Sequence, residues 1–170
     1  MDILMITLRL LHILFGVFWV GVMVFNAFFL GPSISEAGPD GAKVMGGLMR
    51  RHFLDIIPLA AATSILSGAW LFWKVSGGFQ PIWLHSATGM TLGFGAVMAL
   101  TAFTIGMTVA RPSMLRAMAL GQAAAQAPAA EREAKLASAQ ALRIRGAAAS
   151  RLVALLLVLA VAAMAVARYL

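Results

Sequence analysis

Apolar residues fall into four long blocks along this chain, at residues 8–30, 53–73, 82–110 and 147–167, with polar segments between them. Each block reaches the ~20 residues that an α-helix needs to cross ~30 Å of hydrocarbon. The pattern predicts an all-α membrane protein: an antiparallel bundle of four transmembrane helices forming one integral domain over residues 1–170. An amphipathic lead with Arg9 opens the first block, and Asp55 and Pro58 interrupt the second. Arg168 and Tyr169 close the fourth. The connection at 111–146 is rich in Ala, with Gln, Glu, Lys and Arg, and only Pro112 and Pro128 break it. Ala is the strongest helix former, so helix three is predicted to continue into the cytoplasm and a further helix to start near Pro128. Glu131 and Lys135 stand i,i+4 in the favourable order.

Composition supports the membrane reading. Hydrophobic residues make up 62% and charged residues 11%, against about 45–50% and about 25% in soluble domains. A water-soluble monomer of this size has no means of covering so much apolar surface. The first block has no basic region before it and no small-x-small cleavage site after it, so it reads as a retained helix. Cysteine is absent. That excludes disulfides, thiolate metal sites, iron–sulfur clusters, thiol catalysis and haem attached through Cys-x-x-Cys-His.

The net charge of +7 would suggest nucleic acid on a soluble domain, but here position matters more than the sum, and no nucleic-acid partner is expected. Ten of the 13 Lys and Arg residues lie in the two longer connections, from Lys43 to Arg51 and from Arg111 to Arg151. By the positive-inside rule those connections face the cytoplasm and both termini lie outside a bacterial inner membrane. Trp70, Trp73 and Trp83 flank the short outer turn and suit an aromatic belt.

Ionisable groups inside a bilayer tend to mark function. His12 and His85 are each expected just inside the outer interface, whereas His52 opens helix two at the opposite side. A glycine follows each of the first two histidines by four residues, in His12-x-x-x-Gly16 and His85-x-x-x-Gly89. Residues four apart share a helix face, so the glycine would leave room beside the imidazole for a macrocycle. Facing histidines are one way for a bundle to hold a cofactor. His12 and His85 are therefore the candidate axial ligands of haem b, with Gly16 and Gly89 as the cofactor slot, and bis-imidazole ligation favours electron transfer. Gly89-x-x-x-Gly93 also fits simple helix packing. Copper is the alternative cofactor, since the chain has 11 Met, with Met5 and Met90 near the two histidines, and thioethers favour Cu(I). Asp55 is expected to cap helix two or pair with Arg50 and Arg51. No phosphate loop or nucleophile motif is present, and no catalytic residue is assigned.

The segment Leu8 to Gly21, with Leu11, His12, Gly16, Trp19, Val20 and Gly21, resembles the opening helix of a bacterial superfamily. This superfamily contains copper-resistance-protein-D-like proteins and the HemJ-type membrane protoporphyrinogen oxidase. The resemblance implies haem b at His12 in the oxidase branch and copper handling in the other. The sequence thus predicts a haem b electron carrier serving a quinone or membrane-protein redox partner. The alternatives are a copper-handling protein and a cofactor-free accessory subunit. A homo-oligomer or a subunit of a larger complex is expected, since abundant Ala and Gly suit close packing with neighbours.

Overall fold

The computed structural model describes residues 2–170, and among them there is no β-strand. Eight α-helices follow in order: α1 (Ile3–Phe25), α2 (Gly31–Glu36), α3 (Gly38–Arg50), α4 (Phe53–Val75), α5 (Pro81–Leu84), α6 (Ala87–Ile105), α7 (Arg111–Ala125) and α8 (Ala129–Val166). Four helical runs are long and apolar enough to cross a membrane: Ile3–Glu36, Phe53–Val75, Ala87–Ala125 and Ala129–Tyr169. Helix α1 starts earlier than the sequence predicts. Its N-cap is Asp2, whose carboxylate accepts from the Leu4 amide at 3.1 Å, so the first turn is satisfied five residues ahead of the expected start at 8.

Two prolines shape the long runs. Pro32 and Pro112 each stand second in a helix, after Gly31 and Arg111. A proline inside a helix clashes with the carbonyl four residues back. In both places the preceding turn widens to a π turn, at Asn26–Leu30 and Gly106–Ala110. The Gly31 amide donates to Asn26 O and the Arg111 amide to Gly106 O, five residues back rather than four. The helix axis continues, and each run gains a bulge there.

Packing is close because the buried faces are small. Helix α1 packs on α4, and α8 packs on both α6 and α7. Ala61, Ala102, Ala117, Ala139, Ala154 and Ala160 are buried, and the Gly95 Cα side lies against the Ala160 carbonyl of α8. The large apolar side chains point outward, with Val17 68%, Leu66 71% and Leu14 64% exposed. Water would not tolerate that arrangement, whereas lipid does: helices in a bilayer associate through small residues and leave their large ones to the acyl chains. The central core is Trp19, Met23, Ala61, Ala102, Val153 and Leu157. Trp19 meets Phe103 edge-on at 6.3 Å. Beyond Trp19, on the side of the π turns, a cavity opens between α1, α4, α6 and α8.

Candidate functional site

His12 sits in the third turn of α1, half-buried against α4. Its Nδ1 lies 2.8 Å from the Ser64 carbonyl oxygen. A carbonyl only accepts, so Nδ1 carries the hydrogen, and in the neutral ring Nε2 is left with its lone pair. The contact is reciprocal, because the Ser64 hydroxyl donates to the His12 carbonyl at 3.1 Å. Gly68, one turn along α4, completes the seat: a Cβ there would lie 2.6 Å from His12 Cε1 and 2.8 Å from Nδ1. Only glycine accommodates the ring. Gly16 faces the same ridge, and a Cβ added to it would meet Ser64 Oγ at 3.1 Å. The two segments therefore interlock, His12-x-x-x-Gly16 against Ser64-x-x-x-Gly68. Neither Ser64 nor Gly68 was singled out from the sequence. The small-x-x-x-small spacing on helix two was the signal that could have found both.

His85 lies elsewhere. It is exposed at the corner between α5 and α6, and its Nδ1 hydrogen bonds the Pro81 carbonyl of its own turn at 2.7 Å. Its Nε2 is therefore also the lone-pair nitrogen. Gly89 is needed by that corner, since a Cβ would fall 2.1 Å from the Trp83 carbonyl oxygen. The Ser86 hydroxyl caps α6 by accepting from the Gly89 amide at 3.1 Å.

The matched depth expected for the two histidines differs from the structure. The Trp19–Phe103 contact sets a common level, and from it both helices run toward the cavity, which Met23 and Asn26 line from one and Gly106 and Met107 from the other. His12 is seven residues before Trp19, level with Ala96, and His85 lies eleven residues earlier than Ala96. The nine steps from Ala87 to Ala96 alone rise about 13 Å, so His85 lies beyond the start of α6 while His12 is level with its middle. The physical reason is that His85 stands at the α5–α6 corner ahead of α6 (Ala87–Ile105), whereas His12 lies well inside α1 (Ile3–Phe25). A single group held by both rings would need them side by side, and this offset separates them. Each glycine also faces an atom of the chain itself, Ser64 Oγ at Gly16 and the Trp83 carbonyl at Gly89.

At the opposite end, His52 caps α4 in the left-handed region, at φ 56°. Its Nδ1 is 3.6 Å from Asp55 Oδ2. Asp55 pairs with Arg111 rather than with Arg50 or Arg51, and Arg111 Nη2 donates to Asp55 Oδ1 at 2.8 Å. Arg111 Nε also donates to the Leu54 carbonyl at 3.3 Å. That carbonyl lacks its helical donor because residue 58, four further on, is proline. Among the described residues no three His, Asp or Glu side chains converge as a metal site. Met90 is exposed at 59%. No family model matches this chain, and no curated protein or solved structure shows significant similarity to it.

Proposed function

We propose that this chain is an integral protein of a bacterial cytoplasmic membrane, folded as an antiparallel four-helix bundle with both termini outside, and that it carries haem b on His12 for electron transfer. One observation carries the cofactor reading: the Ser64 carbonyl holds His12 Nδ1–H at 2.8 Å within an apolar helix pair, leaving Nε2 as a ligand nitrogen. Second hydrogen bonds of this kind fix the tautomer and orientation of iron- and zinc-bound imidazoles. A porphyrin brings four donors of its own, so one protein nitrogen suffices, whereas copper needs several protein donors. When bound, the group supplies one-electron chemistry. The chain's part is to hold the His12 ring in one tautomer and one direction. The orientation is supported by the cationic inner connections and by the aromatic cluster at the outer end. There Trp70 and Trp73 lie 5.2 Å apart and Phe72 meets Trp83 at 5.4 Å.

The absorbance spectrum of the purified protein tests this. Wild type should show a five-coordinate, high-spin haem. His12→Ala should lose it, and His85→Ala and His52→Ala should keep it. A low-spin spectrum that disappears in His85→Ala would restore the paired-histidine arrangement. A colourless protein from haem-replete cells would end the haem reading.

A further inference from the structure

The cavity below Trp19 offers a second site, independent of His12. It gives the centre of a water molecule about 80 Å³ of free space. One water needs ~10–15 Å³ on that measure, so the space has room for roughly five to eight waters, the bulk of a small ring. Its walls are apolar and partly aromatic, with Trp19 and Phe103 at the upper end and Met107 beside them. Three polar residues break this lining: Asn26, Ser150 and Arg111.

Two of the three have nothing to bind. Asn26 stands at the start of the first π turn, inside an apolar run, and its side-chain amide makes no hydrogen bond among the described residues. The Ser150 hydroxyl of α8 makes none either, although Thr63, Ser67, Thr101, Thr104 and Thr108 all bond to the carbonyl four residues back. Neither polar group is sealed away without a partner, so both face free space. A polar group left unpaired at membrane depth is costly. Arg111 differs, because Asp55 and the Leu54 carbonyl already occupy its Nη2 and Nε. The cavity therefore offers hydrogen bonds without a free positive charge.

We infer that this cavity binds the head of a bilayer-dissolved quinone-type molecule: a flat, uncharged ring with carbonyl oxygens and a long apolar tail. The ring lies under Trp19 and Phe103, Asn26 and Ser150 donate to its oxygens, and the tail leaves toward the lipid. A phospholipid head would bring a phosphate, and the paired Arg111 gives it no counter-charge.

Trp19 reports on the site, because quinones quench indole fluorescence on contact. The other three tryptophans lie at the outer end and can be changed to Phe in the full chain reconstituted in nanodiscs. Titration with a decyl-substituted benzoquinone should then quench Trp19 saturably. Asn26→Leu should weaken the apparent affinity at least tenfold, and Ser150→Ala several-fold, with unfolding midpoints equal to or above that of the parent, since neither side chain has a protein partner to lose. Quenching that follows only the bulk quinone fraction and is unchanged in Asn26→Leu would overturn the proposal. So would equal displacement of the probe by a decanoyl ester, which would mark a lipid site. A loss of folding in Asn26→Leu would overturn it as well, by giving that amide a structural role.

Discussion

Gly68→Ala isolates what seats His12. A Cβ at that position would stand 2.6 Å from Cε1 and 2.8 Å from Nδ1, so the ring must move by nearly 1 Å to reach ordinary contact. Nδ1 starts 2.8 Å from the Ser64 carbonyl, and a displacement of that size takes it past hydrogen-bonding range. The loss leaves a polar nitrogen unpaired between two helices, at a cost of about 1–3 kcal/mol. Against it, Ala is about 1 kcal/mol better than Gly inside a helix. The single variant should thus range from near neutral to about 2 kcal/mol destabilised, a result that alone decides little. A double-mutant cycle decides more. In a His12→Ala background the space beside residue 68 is vacant, and Gly68→Ala should be stabilising by about 1 kcal/mol. The coupling, measured by reversible unfolding in mixed micelles, should be about 1–3 kcal/mol. If Gly68→Ala costs the same with and without the imidazole, the ring does not rest on Gly68 and the account of the Nδ1 tautomer fails with it.

Other perturbations test other parts of the chain. Gly89→Ala meets the Trp83 backbone at 2.1 Å while Gly93→Ala meets open space; the first should strongly destabilise the α5–α6 corner and the second should be neutral or gain up to ~1 kcal/mol. Arg111→Met should cost ~1–3 kcal/mol by orphaning the Leu54 carbonyl, and adding Pro58→Ala should recover part of that by returning the helical N–H. Cysteine at Gln80 should label from outside the cell and cysteine at Ser138 should not; the opposite result would invert the proposed orientation. Lys135 hydrogen bonds the exposed Glu131 and holds its carboxyl below the ordinary carboxylate range. The stabilisation is therefore present above the unfolded pKa and lost as pH falls through the folded one, and acid titration of α8 helicity in Glu131→Gln should lack that step.

Much of the fold was legible because a membrane imposes one rule, ~20 apolar residues per crossing, and the four blocks obey it. Boundaries were less legible. Asp2 was passed over as a cap because the apolar density rises only later, yet one carboxylate on the Leu4 amide sets where α1 begins. His85 falls before the start of α6, and that leaves it off the level of His12 inside α1. The tautomers were beyond the sequence, since they depend on which carbonyl each ring meets, Ser64 across the interface or Pro81 within its own turn. Glycine roles were ambiguous for a similar reason. An H-x-x-x-G spacing puts the glycine on the histidine's face, but whether that space stays open depends on the neighbour that enters it.

The prolines explain why a cavity lies where it does. A straight helix with Leu or Ala at every inner position would pack through this region as it does around Gly95 and Ala160. Pro32 and Pro112 prevent that, because each forces a π turn just before it, and the two turns face the same space from α1 and α6. Pro58 acts on the third wall by removing an amide from α4, and the carbonyl so released draws Arg111 inward. Three ring closures in sequence thus widen one end of an otherwise tight bundle. The same logic gives a test of origin. Pro32→Ala should let the Asn26–Leu30 turn revert to α-geometry, rotating Asn26 and the residues before it by about 100° relative to α2. Helicity should hold or rise, since Ala is about 3 kcal/mol better than Pro in a helix interior, while saturable quenching of Trp19 by the quinone probe should be lost. Retained binding in a Pro32→Ala protein would mean that the π turn is not what presents Asn26 to the cavity.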